Sequence, residues 1–205
     1  MRRVKEMVCG ISLLALVGCM GKGDLIPLQL QPAQSKSEQT SQPKDSLKIA
    51  VVPFEDARQK RTHLGTRSHL WGGESYFNVP GGLPGEATAQ VLADFLKMQG
   101  WQVLKPGTSG DLADVVLSGK VLDLAVDAKS GVGSTKITTT TKVSVEVKNS
   151  TDGSVVRMTL SGSGADRVFW FEPEDAQTLV NTVLSESFLK LVQDTKIENR
   201  MVRLK

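Results

Sequence analysis

The sequence predicts an α/β (α+β) domain in which two helices pack on one face of a mixed, mostly antiparallel sheet of about four to five strands. Three observations carry this expectation. From Lys136 to Lys148 the chain alternates strictly: Ile137, Thr139, Thr141, Val143, Val145 and Val147 share one face and polar residues the other. That is the pattern of a half-buried antiparallel strand. Residues 84–99 and 173–193 each carry one apolar stripe at helical spacing. Leu47 to Phe54 is a nearly continuous apolar run rich in β-branched residues, as in a buried strand.

The elements follow in order. The first strand weakens at Pro53, which has no amide donor. Glu55 to Gly82 is polar and Gly-rich and is expected to be a long loop, of the kind that is usually functional. Leu83-Pro84-Gly85 opens the first helix, with Ala87, Val91, Leu92, Phe95, Leu96 and Met98 on its apolar side, and Gly100 stops it. Trp101 to Leu104 is a short strand. Asp114 to Asp127 is a long one, with a bulge expected at Gly119. After the 136–148 strand, Asn149 to Gly153 forms a hairpin turn whose Asp-Gly supplies the positive φ. Ser154 to Ala165 returns with Val156, Met158 and Leu160 inward. The last helix, Pro173 to Gln193, starts among Glu172, Glu174 and Asp175, which its dipole favours.

The amino terminus has a different character. Met1-Arg2-Arg3-Val4-Lys5 precedes an apolar run from Met7 to Val17. A basic flank, a short apolar core and a small residue before a cut form a secretory signal peptide. The core is shorter than the roughly 20 helical residues that span a bilayer. Leu16-Val17-Gly18-Cys19 resembles a bacterial lipobox, which implies cleavage before Cys19 and acylation of its thiol. The expected organisation is therefore a signal peptide over 1–18, a lipidated amino terminus and disordered tether over 19–46, and a single periplasmic domain over 47–205. The tether is rich in Gln, Ser, Lys and Pro, and about 27 such residues reach on the order of 30 Å. Leu25, Ile26, Leu28 and Leu30 interrupt it and leave a short strand laid on the domain as the alternative. Met20, rather than Asp, follows the cysteine, which for a lipobox implies the outer membrane, facing the periplasm.

Composition excludes several chemistries. The formal charge is +3, but Arg2, Arg3 and Lys5 against Glu6 place two of those charges in the signal, so the remainder is nearly neutral. No Lys/Arg patch interleaves with aromatics, and nucleic acid is not expected as a partner. Of the two cysteines, Cys9 leaves with the signal and Cys19 takes lipid. Disulfides, thiol catalysis and cysteine-held metal are excluded for the domain.

No catalytic or metal site is expected, and no cofactor. His63 and His69 are the only histidines and lack carboxylates at ligand spacing. Gly131 to Lys136 misses the phosphate-loop spacing and precedes a strand. Ser161-Gly162-Ser163-Gly164 misses the nucleophile-elbow pattern. The segment from Asp56 to Phe77 concentrates the residue types of binding hot spots: Asp56, Arg58, Arg61, Gly65, Arg67, Trp71 and Tyr76, with His63 and His69 among them. It is the expected contact surface. The alternative is a hairpin whose aromatics cover one end of the core.

Val51-Val52-Pro53-Phe54-Glu55-Asp56-Ala57-Arg58, Leu64-Gly65-Thr66-Arg67, Leu96 to Trp101 and Val115 to Val121, behind a lipobox, resemble the YajG-like bacterial lipoproteins, chiefly in Asp56-x-Arg58 and Gly65-x-Arg67. The resemblance covers residues 48–191. It implies a small lipid-anchored domain without established enzymatic activity or cofactor, similar in fold to periplasmic lipoprotein domains that activate peptidoglycan synthases and to the amino-terminal domain of TolB. The expected function is a non-enzymatic envelope protein attached to the membrane by its lipid and meeting a protein partner. The runner-up is an accessory subunit of a transport or peptidoglycan-synthesis machine that docks by strand addition beside Thr138 to Thr141. A small hydrolase is a third class. The oligomeric state is left open.

Overall fold

The computed structural model of the chain describes residues 23–33, 47–104 and 113–205. The expected signal peptide, Cys19 and most of the expected tether lie outside the described residues. The strands are β1 (Leu25–Pro27), β2 (Lys48–Val51), β3 (Glu55–Asp56), β4 (Gly65–Ser68), β5 (Glu74–Asn78), β6 (Gln102–Val103), β7 (Val115–Gly131), β8 (Ser134–Asn149), β9 (Val155–Val168), β10 (Thr195–Glu198) and β11 (Met201–Leu204). Helix α1 spans Pro84–Met98 and α2 spans Pro173–Asp194.

This corrects the expected fold class. The main sheet is mixed and has nine strands rather than four or five, curled into a half-barrel, with β10 and β11 as a separate antiparallel pair. Nor is it mostly antiparallel. β1–β5, β2–β6, β2–β7, β3–β7 and β4–β7 are parallel; β4–β5, β7–β8 and β8–β9 are antiparallel.

The reason lies in the length of β7. At about 3.3 Å per residue it runs for roughly 55 Å. One edge takes β8 along its whole length. The other is shared in turn by three short parallel strands: β2 at Val115–Leu117, β3 at Lys120–Val121 and β4 at Ala128–Lys129. Strands of two to five residues are too short to show a period, so the 55–82 segment reads as a loop although it contributes β3, β4 and β5.

The long strands follow their patterning. All six expected inward residues of β8 are buried. The bulge in β7 sits at Leu122, between Val121 and Asp123, rather than at Gly119. The apolar set changes parity there: Val115, Leu117 and Val121 precede it, and Leu124, Val126 and Ala128 follow it. One inserted residue keeps both sets on the core face.

The helices close that face. Phe95 of α1 and Phe188 of α2 are fully buried, with ring centroids 6.1 Å apart. A Cβ on Gly162 of β9 would come within 2.6 Å of the Ser187 hydroxyl, so the glycine lets α2 settle on the sheet. At the start of α2 the Glu172 amide donates to the Asp175 carboxylate at 2.8 Å, a reciprocal cap.

Part of the 19–46 stretch lies on the domain. β1 pairs with β5, the Gly23 amide donates to the Glu74 carbonyl at 2.8 Å, and Leu28 is fully buried. The Gln29, Gln31 and Ala33 amides donate to side chains of Gln177, Asn181 and Ser185 on α2. Among the described residues, no helix is long and apolar enough to cross a membrane.

Candidate functional site: the cleft at the β7 bulge

The loop 57–64 arches over β7 where Leu122 bulges out and encloses a cleft of about 420 Å³. Arg58, Lys60 and His63 line one wall, and Asp123 and Asp127 the other. A bulge re-aims side chains, which is why bulges recur beside binding sites.

The loop is set by Asp56 and Arg58. The Arg58 guanidinium holds Asp56 in a fork, Nε to Oδ1 at 2.8 Å and Nη2 to Oδ2 at 3.0 Å, and its Nη1 donates to the His63 carbonyl at 3.2 Å. Arg58 is 4% exposed. Its hydrogen bonds hold the Asp56 carboxyl below the ordinary carboxylate range against the opposing effect of burial. A buried guanidinium saturated by its own chain cannot grip a partner, so Asp56-x-Arg58 is a turn lock. Arg61 continues it, donating from Nε to the Arg58 carbonyl at 3.1 Å while remaining exposed.

Gly65 is also structural. A Cβ there would fall 1.9 Å from the Val126 carbonyl oxygen, so only glycine lets β4 lie against β7. Tyr76 meets the His63 ring, with centroids 4.7 Å apart. His69 Nε2 lies 2.9 Å from the Ser75 hydroxyl, and the two histidines belong to different clusters. Among the described residues no three His, Cys, Asp or Glu side chains converge as metal ligands would. Asp123 accepts from the Thr140 hydroxyl at 2.7 Å, and Asp127 from the Thr66 amide at 3.0 Å.

Arg58 and Gly65 therefore line the cleft, with Asp56 bonded to the Arg58 guanidinium, Arg61 to the Arg58 carbonyl, and Tyr76 against His63. Arg67 and Trp71 do not. The Arg67 guanidinium lies 4.0 Å over the Phe171 ring, where desolvation lowers its pKa. Trp71 is 86% exposed on the β4–β5 turn. Gln59, Lys60, Asp123 and Asp127 were absent from the sequence-based set. The parity change that marks the bulge is the signal that would have directed attention to Asp123.

Neither a family model nor a curated protein matches the chain. Among solved structures it is similar to a DUF330 protein from Xanthomonas campestris, at 12% identity over 82% of this chain and 91% of that one, with a TM-score of 0.49. The PelC dodecamer from Paraburkholderia phytofirmans matches at 18% identity over 73% and 92%, with a TM-score of 0.40. A lipoprotein from Neisseria meningitidis matches at 14% identity over 72% and 98%, with a TM-score of 0.28. At these scores the likenesses carry no argument about activity or family.

Proposed function

We propose that this chain is a non-enzymatic lipoprotein of the YajG-like kind, held by lipid on Cys19 in the outer membrane, presenting a small binding domain to the periplasm for envelope assembly or maintenance. The single observation behind the reading is the placement of the lipobox-like Leu16-Val17-Gly18-Cys19, after a basic and apolar start and four residues before Gly23. Gly23 begins the segment that is hydrogen-bonded to the domain. The partner-facing groups are the cleft lip, Gln59, Lys60, Asp123 and Asp127, because Arg58 is spent internally.

The test is metabolic labelling with palmitate. The wild-type chain takes up label and fractionates with the outer membrane; Cys19→Ser remains unlabelled and unprocessed. An unlabelled wild type overturns the reading.

A second reading, an accessory subunit of a transport or cell-wall machine, has one observation in its favour. Thr138–Thr141 lie in β8, inside the sheet, but β9 beside them pairs only with β8 among the described residues. Strand addition by a partner would use the edge of β9 that β8 leaves.

A further inference from the structure

Three turns far apart in sequence meet at one end of the sheet. β4 runs parallel to β7 with Ser68 opposite Lys129, so the β4–β5 turn 69–73 stands beside the β7–β8 turn 131–133. β9 ends with Val168 opposite Thr135, which brings Phe169 and Trp170 to the same rim. β1 enters there too, with Gly23 bonded to Glu74 and Leu25 opposite Tyr76.

This rim holds the five most exposed large hydrophobic side chains among the described residues: Val132 at 93%, Trp71 at 86%, Trp170 at 79%, Phe169 at 70% and Leu25 at 65%. Folding gains nothing from leaving them in water. Just behind the tips, Lys129 stands opposite Lys136, and Lys136 opposite Arg167, on three adjacent strands. All three are exposed, and none has an ion-pair partner among the described residues. Like charges placed directly across strands repel one another. Apolar tips backed by a row of cations complement an anionic lipid surface, with aromatic rings at the acyl boundary and ammonium and guanidinium groups among the headgroup phosphates.

Chain length selects the lipid surface over other occupants. Cys19 is four residues from Gly23, so it lies within about 14 Å of Gly23, which is bonded to Glu74 beside the 69–73 turn, however the intervening chain runs. The reach of the anchor is set by these residues rather than by the longer stretch up to residue 46.

We infer that the rim formed by Trp71, Val132, Phe169 and Trp170 docks onto the anionic monolayer that holds the Cys19 lipid, so that the domain stands on the membrane by this end. The inference rests on Cys19 acylation. It fixes an orientation: the 149–154 turn at the far end of the β7–β8–β9 ribbon points away from the bilayer, and the cleft lies between the two ends.

The three tryptophans make this testable in the full acylated protein. Trp71 and Trp170 are on the rim, and Trp101 packs against the core. The protein is reconstituted in phosphatidylethanolamine–phosphatidylglycerol vesicles carrying a spin label near the headgroup end of the acyl chain. Trp101→Phe, which keeps both rim tryptophans, should lose about half its emission, because interfacial rings sit within about 5–10 Å of that boundary. The double variant Trp71→Phe/Trp170→Phe should show almost no quenching. Reversing Lys129, Lys136 and Arg167 to Glu should bring quenching on the anionic vesicles down to the level on phosphatidylcholine. Flotation is read in parallel. Failure to float with phosphatidylcholine vesicles means that the lipid reading itself is wrong. Flotation with no rim quenching overturns the docking inference and leaves the anchor intact. Unquenched emission that shifts to the blue as protein density rises means that a second copy covers the rim, which also overturns it.

Discussion

The two ends of the β7–β8–β9 ribbon are finished in opposite ways. At the 149–154 turn, polar groups close the end. Asn149 is fully buried; its amide nitrogen donates to the Val202 carbonyl at 3.1 Å and the Ser154 hydroxyl at 2.9 Å, and its oxygen accepts from the Val202 amide at 2.8 Å. Arg200 reaches Asp114 at 2.9 Å and Arg203 reaches Asp152 at 2.6 Å, so β10 and β11 are tied across the opening. At the other end Trp71, Val132 and Trp170 stand in solvent beside three cations that have no ion-pair partner among the described residues. One end has its composition explained by folding. The other holds surface that folding does not require, which is where a function outside the domain core can reside.

Arg58, which sits between the ends, provides the largest expected break. Arg58→Ala takes the guanidinium from the Asp56 carboxylate, which keeps only the residue 58 amide, and from the His63 carbonyl, and should cost about 3 kcal/mol in urea unfolding. A variant as stable as wild type would return Arg58 to the list of surface contacts. Next, Asn149→Ala strips the paired groups of Val202 of their partner at the closed end, and about 2 kcal/mol should be lost. Trp71→Ser with Trp170→Ser should stay within about 0.5 kcal/mol, because neither side chain is buried. If the two ends respond equally in chemical denaturation, the contrast between them fails.

The smallest effect is one of pH. Bonds from the Ser154 hydroxyl and amide, with Arg203 beside them, pull the Asp152 carboxyl down from 3.8 to about 2. A carboxylate with a lowered folded pKa stabilises the fold above its unfolded pKa and loses that contribution as pH falls toward the folded value. Thermal melts of wild type should therefore decline more steeply between pH 4 and 2 than those of Asp152→Asn. Equal slopes would mean that the bonds to Asp152 from Ser154 and Arg203 add nothing to the closure.

Much of the scaffold was legible in the residues alone. The alternation of β8, the stripes of α1 and α2, and the Asp152-Gly153 turn are local patterns, each long or specific enough to declare its element. Unlike Asp123 and Asp127, the loop residues Asp56, Arg58 and Gly65 were legible too. Their roles were not: Asp56 and Arg58 look like binding groups until the guanidinium is seen bonded to its own chain. The short strands β3, β4 and β5 were silent because two to five residues cannot express a period; what made β3 and β4 strands was the unoccupied edge of β7. The rim is the clearest product of tertiary structure. Residues 71, 132 and 169–170 share no sequence pattern, and strand register alone brings them to one end. Periodicity is a local property of the chain, whereas a surface is assembled from whatever the pairing of distant strands places side by side.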